Sequence, residues 1–306
     1  MALRFGLLGT GHWAREVHAA ALAASDQADL VGIWGRNPAK ARAAAEPYGV
    51  RAFDRVEELL EAVDAVAFSL PPEVQADLAV RAANAGRHLL LEKPLALSLR
   101  AARRVVEAAE RNGVASVVFF TARFQPEVAA WLQRVWAGDW YGAHCAWMAS
   151  IFQPGNPFGQ SPWRRDKGAL WDVGPHALSL LLPALGAVER VTAGGGLGDT
   201  VHLVLGHRGG ASSTVSLSLT IPPAAPGTTE LVLYGAPGPS VMPRRDSSPV
   251  EAAAEAVRQL AAEVAAGGTA HPCGARFAAG VVAVLEAAEG FLATPVERRS
   301  ATVAQV

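Results

Sequence analysis

The stretch that decides the fold is LRFGLLGTGHWA, residues 3–14. Its apolar start, Leu3 to Leu8, predicts a short buried strand, and a helical stretch to about residue 24 follows the glycines. Gly9, Gly11 and Ala14 between them make the pattern G-x-G-x-x-A at a strand-to-helix junction, the context that gives this pattern its meaning. The first glycine permits a tight turn, the second lets the backbone approach a pyrophosphate, and the alanine lets the helix pack against the strand. The alternative is a glycine turn in an unrelated strand-helix unit.

The same unit repeats through the first half of the chain. Further strands are predicted over residues 30–34, 62–70, 89–92 and 114–120, with helices over 38–48, 72–85 and 98–111. Alternating strands and helices at this rhythm imply right-handed crossovers and a mostly parallel sheet. We therefore predict an N-terminal Rossmann dinucleotide-binding domain over residues 1–122, within an α/β fold.

The end of the second predicted strand bears on the choice of nucleotide. An acid at this place usually binds the adenosine ribose, but the residues are Gly35-Arg36-Asn37-Pro38. No carboxylate excludes a 2′-phosphate, and the Arg36 guanidinium could pair with one. The sequence favours NADP over NAD, and the alternative is a solvated arginine in a turn.

A second informative stretch is Leu89-Leu90-Leu91-Glu92-Lys93-Pro94-Leu95. Three leucines read as a strand buried on both faces, so Glu92 and Lys93 stand at its carboxyl end, where open α/β sheets bind ligands. Pro94 ends the strand and makes Lys93-Pro94 a candidate cis bond. Lys93 is thus expected to be aimed at a ligand, although a solvated surface lysine is the alternative.

The pattern changes near residues 121–123, which places a second domain over 123–306. After a helix from about Glu127 to Ala137, alternating residues predict strands over 141–152, 190–197, 199–207, 211–220 and 229–234, forming one open, mostly antiparallel sheet. Helices over 249–266 and 275–293 are expected to pack in this second domain. Residues 235–248 are expected to be a mobile loop, with a border of the site entrance as the alternative.

The chain resembles the family of glucose-fructose oxidoreductase, inositol dehydrogenase and the rhizopine-catabolism dehydrogenases (Gfo/Idh/MocA). The residues that carry the resemblance are Gly9-Thr10-Gly11-His12, Pro71-Pro72, Gly86-Arg87-His88 and Glu92-Lys93-Pro94-Leu95. One departure is Gln75, where members often have a histidine. The resemblance implies a nicotinamide cofactor. Together with the motif and strand-end arguments above, the predicted cofactor-binding residues are Gly9, Thr10, Gly11, His12, Trp13, Arg36, Pro71, Glu92 and Lys93. It also implies that Arg123 lines the substrate side, with capping or salt-bridging as the alternative, and that the second sheet joins copies into a homodimer or homotetramer. The exposed face of that sheet would then be unusually apolar.

The stretch Trp163 to His176 carries the remaining candidates. If a helix begins near Asp172, then Asp172 and His176 lie four residues apart on one face, which suits a site that binds a hydroxyl and takes its proton. Taken alone, Asp172 could equally be a helix cap and His176 a surface histidine. Asp172, Gly174 and His176 also match the second signature of the family that the chain resembles. Departures are the glycine run reduced to Gly168-Ala169 and Ser179 in place of an aspartate. Trp163 and Arg164 are weaker candidates for substrate contacts.

These residues predict hydride transfer between a nicotinamide and a sugar, cyclitol or related polyhydroxy compound. His176 is assigned the proton, Lys93 the reacting oxygen, and Asp172 a neighbouring hydroxyl and the orientation of the histidine. How Lys93 and His176 divide the proton transfer is left open. The alternatives are a hydrolase or lyase that keeps NAD(P) bound and oxidises its substrate transiently, and a regulator that binds the nucleotide without catalysis.

Composition restricts the remaining possibilities. The formal net charge of −1, from 27 basic and 28 acidic side chains, argues against nucleic acid and anionic membranes as partners. No apolar stretch is long enough to span a bilayer, and Cys145 and Cys273 lie far apart with no metal-ligand pattern near them. We expect no metal site, idle or buried thiols, and a soluble cytoplasmic protein.

Overall fold

The structure is a computed structural model that describes residues 2–136, 138–225 and 227–294. The chain forms two compact units, one of Met1–Arg134 with Met242–Val282 and the other of Val135–Val241 with Ala283–Val306. The domain limits expected from the sequence, 1–122 and 123–306, stay a prediction. The two compact units differ from these limits, because residues 242–282 belong to the first unit and not to the second.

The first unit contains a six-stranded parallel sheet in the order β3-β2-β1-β4-β5-β6. Its strands are β1 (Leu3–Leu8), β2 (Ala28–Trp34), β3 (Arg51–Phe53), β4 (Ala65–Phe68), β5 (His88–Glu92) and β6 (Ser116–Phe119). Its helices are α1 (Ala20–Ala24), α2 (Pro38–Ala45), α3 (Val56–Ala62), α4 (Pro72–Asn84) and α5 (Leu99–Arg111). The predicted Rossmann domain is confirmed, and α3 and β3 are additions that the sequence pattern did not predict.

The centre of this sheet is buried on both faces. Leu89, Leu90 and Leu91 of β5 are at most 1% exposed, as the unbroken apolar run predicts for a parallel strand covered by helices. Ser98 caps α5 by accepting the backbone N–H of Ala101. Charged Glu92 therefore stands at the one end of β5 where the strand leaves the core.

A late segment completes the first unit. Helix α9 (Pro249–Ala265) begins with a capping box of Ser248 and Glu251 and packs against β5 and β6. The side chains of its inward face are almost wholly buried, among them Ala252, Ala256, Val257 and Leu260. The sequence expectation had placed this helix in the second domain. Small apolar residues at helical spacing show that a face is buried but carry no information about which sheet it covers.

The second unit contains a six-stranded sheet in the order β12-β11-β7-β10-β9-β8. Its strands are β7 (Trp140–Met148), β8 (Val188–Gly195), β9 (Val201–His207), β10 (Ser212–Ser218), β11 (Thr228–Gly235) and β12 (Gly238–Val241). All neighbours are antiparallel except β7 and β10, so the sheet is mixed and mostly antiparallel, as predicted. Helices α7 (Pro162–Asp172) and α8 (Gly174–Leu185) pack on its buried face.

The other face of this second sheet is exposed and mixed in character. Val204, Tyr234 and Val241 are about half exposed there. They alternate with polar neighbours, and His144 bonds Thr214 while His202 bonds Ser216. The face is therefore mixed and not unusually apolar, because small hydroxyl residues and histidines lie between the apolar side chains.

Three further expectations need correction or completion. Residues 235–248 are not simply a loop, since they include β12 and since the carboxylate of Glu127 accepts the backbone N–H groups of Asp246 and Ser247. The helix expected to end at Ala137 is α6 (Pro126–Val135), and Ala137 itself lies outside the described residues. The last helix, α10 (Ala275–Ala293), has the expected limits.

Candidate active site

The glycine turn after β1 has the shape that a dinucleotide needs. Gly9 has a φ of 139°, and a Cβ at this position would collide with the carbonyl oxygen of Ser69. Only glycine fits such a backbone without strain. A Cβ on Gly11 would meet nothing within 4 Å, so the space in front of it is open, while Ala14 is fully buried behind it. The tight turn at Gly9, the open space at Gly11 and the buried side chain of Ala14 are thus the features that the G-x-G-x-x-A pattern predicts.

The helix that follows the turn begins in an unusual form. Residues Ala14–Ala19 are π-helical and continue into α1. Single π-helical turns are rare and occur frequently at functional sites. The segment brings His18 into the core, where the residue is 1% exposed.

The carboxylate of Glu92 ties this first turn to the end of β5. Its Oε1 accepts the indole N–H of Trp13 at 2.6 Å and lies 2.7 Å from Nε2 of His18. Its Oε2 accepts the backbone N–H of Lys93 at 3.2 Å. Trp13, Glu92 and Lys93, all predicted site residues, are therefore brought together within the first unit.

Gln75 holds the backbone of the same segment. Its Oε1 accepts the N–H of Glu92 at 2.9 Å, and its Nε2 donates to the carbonyl oxygen of Glu92 at 2.7 Å. The same Nε2 also lies 3.2 and 3.3 Å from the carbonyl oxygens of Pro94 and Leu95. The Lys93-Pro94 bond is cis. Since Gln75 is fully buried, it serves as an internal clamp on the segment that carries Lys93.

The other predicted cofactor residues lie at the ends of the parallel strands. Arg36 is exposed after β2, and Asn37 beside it caps α2 by accepting the N–H groups of Ala39 and Lys40. Pro71 stands at the start of α4, and Thr10 approaches Gly35 across the turn. His12 is exposed.

Arg123 lies in the first unit and is buried, with its guanidinium 5.5 Å from the centre of the Phe277 ring. Its charge helps to lower the pKa of His271, although burial of that imidazole is the larger cause. The predicted contact of Arg123 with substrate stays a prediction.

In the second unit, Arg164 pairs with Asp172. The guanidinium Nε lies 3.1 Å from Asp172 Oδ2, and both side chains are largely buried. Arg164 also lies over the rings of Trp163, at 4.6 Å, and Phe158, at 5.1 Å. The arginine is thus held by two aromatic faces while its charge compensates the carboxylate. The predicted group Trp163, Arg164 and Asp172 is brought together.

His176 stacks on Trp147 of β7, with ring centroids 5.1 Å apart and planes inclined by 14°. Ser179 donates its hydroxyl hydrogen to the carbonyl oxygen of His176 at 2.7 Å. The helix expected to begin near Asp172 is α8, which begins two residues later. Asp172 ends α7, and α8 begins at Gly174 after Val173, so the aspartate and the histidine are not on one helix. Pro175 stands in the first turn of α8.

A separate irregularity lies inside α7. Within α7, Gly168 adopts φ 61° and ψ −160°, which interrupts the helical backbone four residues before Asp172. A residue with a side chain would be strained in this conformation. Pro175 follows, and its fixed φ suits the start of the next helix. The stretch therefore contains an irregular backbone at Gly168 and a helix boundary at Val173.

Three side chains were missed as parts of these arrangements: His18, Gln75 and Trp147. A histidine nine residues after Gly9 is a signal only if the helix phase is known, and the π-helical turns change that phase. Gln75 was recognised only as a departure from the resemblance. Trp147 reads simply as a core residue of an alternating strand.

Within the described residues, no group of histidine, cysteine and carboxylate side chains is suited to hold a metal ion. Over the same ranges, no helix combines the length and apolar character needed to cross a membrane. Cys145 and Cys273 are both buried thiols, and burial raises the pKa of Cys145 to about 12.

Comparison with known proteins identifies the class. Residues 3–120 match the sequence profile described as "Oxidoreductase family, NAD-binding Rossmann fold", and residues 126–238 match that of the GFO/IDH/MocA C-terminal domain. The chain belongs to the GFO/IDH/MocA family of oxidoreductases. The family resemblance and the NAD(P)-binding Rossmann fold are thereby confirmed.

Two curated relatives and one solved structure illustrate the similarity. Inositol 2-dehydrogenase of Rhizobium meliloti (strain 1021) is 36% identical over 132 residues, 42% of this chain and 39% of that protein. D-xylose 1-dehydrogenase (NADP(+)) 2 of Haloferax volcanii is 33% identical over 233 residues, 72% of this chain and 70% of that protein. The crystal structure of GenD2 from gentamicin A biosynthesis, in complex with NAD, superimposes with a TM-score of 0.83 at 22% identity, covering 95% of this chain and 94% of that one. The match to inositol 2-dehydrogenase spans less than half of that protein, and at 22% identity the structural likeness concerns the fold.

Proposed function

We propose that the chain is an NAD(P)-dependent dehydrogenase or reductase that transfers a hydride between a nicotinamide cofactor and a CH–OH carbon of a sugar, cyclitol or related polyhydroxy compound. The observation that carries the proposal is the hydrogen bond from Trp13 of the glycine turn to Glu92. It fastens the turn that would receive the pyrophosphate to the strand end that carries Lys93. The names of two relatives, an inositol and a xylose dehydrogenase, support the class of substrate.

Bound nicotinamide nucleotide supplies the redox chemistry, and the protein supplies orientation and proton transfer. Lys93 hydrogen-bonds the reacting oxygen and stabilises the negative charge that develops there as the carbon loses hydride. His176 accepts the hydroxyl proton, for which an imidazole is suited near neutral pH. The flat contact with Trp147 holds the histidine ring in one orientation.

Asp172 and Arg164 form the polar part of the proposed substrate contacts. Oδ2 of Asp172 is engaged by the guanidinium, so the aspartate is fixed when it meets a substrate hydroxyl. Trp163 presents a ring suited to stack on the apolar face of a sugar. Arg123, which is buried in the first unit, is also proposed to contact the substrate.

Alanine variants test the assignment. Lys93→Ala and His176→Ala should each lower turnover by at least about a hundredfold, the scale of positioned acid-base groups, while the nucleotide still binds. Sugars, inositols, sugar acids and diols would be screened with both nucleotides by absorbance of the reduced nicotinamide. Retained turnover in either variant removes that residue from the mechanism.

We infer a preference for NADP over NAD. Arg36 is exposed beyond β2, and no carboxylate stands beside it. Because Asn37 is engaged at the start of α2, the guanidinium is the group left to meet a 2′-phosphate. Arg36→Ala should raise the dissociation constant of NADP at least about tenfold, the scale of a charge-assisted hydrogen bond, and leave that of NAD within about twofold. Tighter binding of NAD than NADP by the wild-type protein would contradict the inference.

We also propose that the exposed face of the second sheet joins copies of this chain into a homodimer or homotetramer. The half-exposed Val204, Tyr234 and Val241 lie on it among polar groups that can pair across an interface. Light scattering at micromolar concentration should give a mass of two or four chains. The substitution Val204→Lys should reduce it, and a monomer mass for the wild-type protein would contradict the proposal.

A further inference from the structure

A buried histidine supports the segment that carries Lys93. His18 is 1% exposed and lies in the π-helical segment that follows the glycine turn. Its Nε2 is 2.7 Å from Oε1 of Glu92, the oxygen that also accepts the indole N–H of Trp13. Two donors from the nucleotide-binding segment therefore converge on one carboxylate oxygen.

The hydrogen-bonding capacity of these groups fixes their roles. An ionised carboxylate only accepts, so His18 Nε2 carries the hydrogen in this bond. Nδ1 of the same ring is buried and has no hydrogen-bond partner among the described residues. The ring edge meets Phe119, with centroids 5.6 Å apart and planes at 77°. Glu92 is thus the one polar group that these contacts offer to His18.

The position of this pair argues against a purely space-filling histidine. A core residue needed only for its volume would be apolar, because burying an imidazole with one nitrogen unsatisfied costs free energy. Here the cost is offset by a charge-assisted bond to the residue directly before Lys93. Glu92 in turn restrains the backbone of Lys93, since its second oxygen accepts the Lys93 N–H.

We propose that His18 is a positioning residue for the Glu92-Lys93 segment. It holds the Glu92 carboxylate in the one orientation that bonds both the Trp13 indole and the Lys93 backbone. The glycine turn and Lys93 are then coupled through a single side chain. The part of this inference that concerns turnover rests on the proposed dehydrogenase function, whereas the coupling itself does not.

Two variants of similar size separate the polar bond from volume. His18→Leu removes the donor, and His18→Gln keeps an amide N–H at about the place of Nε2. In ¹⁵N-labelled protein the indole N–H of Trp13, assigned by Trp13→Phe, should resonate downfield because its acceptor is a carboxylate. We expect that signal to shift or broaden in His18→Leu and to stay at its wild-type position in His18→Gln.

Binding and turnover give the second readout. His18→Leu should weaken nucleotide binding and lower kcat, each at least about tenfold, the scale of a hydrogen bond to a charged group, with KM for the substrate little changed. His18→Gln should restore both to within about threefold. If His18→Leu melts at a lower temperature yet keeps the wild-type indole signal and nucleotide affinity, His18 acts only through packing and the proposal is overturned. If the wild-type protein oxidises no substrate, the proposed function fails, while the indole signal and the nucleotide affinity still decide the role of His18.

Discussion

Replacing Gln75 by leucine should loosen the Glu92-Lys93-Pro94 segment without changing its sequence. The side chain is fully buried and bonds both the N–H and the carbonyl oxygen of Glu92, at 2.9 and 2.7 Å. Leucine has a similar volume but neither donor nor acceptor. The substitution therefore leaves two backbone groups without this partner, besides the carbonyl oxygens of Pro94 and Leu95.

The expected magnitude follows from those lost bonds. Each buried polar group left unsatisfied costs about 1–3 kcal/mol, so two give a loss of about 2–6 kcal/mol in the free energy of unfolding. The added apolar contact of leucine offsets part of this loss. A change of this size is a large fraction of the net stability of an ordinary domain. Nucleotide affinity and turnover should fall as well, because Lys93 follows directly on the clamped residue.

Gln75→Glu is the matched control. It keeps the acceptor for the Glu92 N–H and has nearly the same shape, but its second oxygen faces three carbonyl oxygens. Those carbonyls favour the protonated acid, which raises the pKa of the introduced carboxyl in the folded state above its unfolded value. The stability of this variant should therefore be closest to wild type at acidic pH and decrease as the pH rises through the unfolded value, about 4.3, and beyond.

Urea unfolding followed by circular dichroism, at several pH values, measures both effects, and the m-value shows whether the transition keeps its extent. Nucleotide binding by titration calorimetry tests the link to Lys93. A loss below about 0.5 kcal/mol for Gln75→Leu, within the range of ordinary surface substitutions, would falsify the clamp. A Gln75→Glu variant with a pH dependence identical to wild type would show that Nε2 does not face those carbonyls.

Three further predictions follow from single contacts. Gly9→Ala should lower the free energy of unfolding by about 1–3 kcal/mol or more, because residue 9 has a positive φ and its Cβ would collide with Ser69. Gly11→Ala should leave the melting temperature unchanged, because its methyl group enters open space, and should raise the nucleotide dissociation constant. Arg164→Met should cost about 3 kcal/mol by removing the cation that pairs with the buried carboxylate of Asp172, and equal stability of this variant and wild type in urea would contradict it. His88 accepts the N–H of Ala115, and burial lowers its pKa, so the free energy of unfolding should decrease below about pH 6.5; His88→Asn, which keeps the acceptor, should reduce that slope by at most about 1.4 kcal/mol per pH unit.

The elements of the first unit could largely be predicted because their apolar periodicity is strong. Strand β1 has the limits expected from the sequence, and α5 begins at a serine cap. The strand Arg51–Phe53 was missed because three residues are too few for a period to appear. In the second unit, Gly168 was expected to be no more than a reduced glycine run. Its φ of 61° interrupts the helical backbone inside α7.

The candidate site could be predicted only in part, for a different reason. Motif spacing located Gly9, Glu92 and Lys93, since their roles depend on the backbone at strand ends. The residues that hold them in place, His18 and Gln75, are polar side chains buried in helices, and nothing in helical periodicity separates a buried polar residue from an exposed one. His18 and Gln75 can be buried because Glu92, at the end of β5, offers them hydrogen-bond partners.

The end of β5 is held at two places, the main chain and the carboxylate of Glu92. The pairing of β5 with β4 ends at Leu90, although Glu92 still pairs with β6, and Pro94 has no N–H to donate. Gln75 bonds the main chain of Glu92, and His18 and Trp13 bond its carboxylate. One support acts on the main chain and the other on the side chain of the same residue, Glu92. Both supports act on the residue directly before Lys93. Gln75 and His18 can therefore affect the alignment of the proposed catalytic lysine without being proposed to touch the substrate.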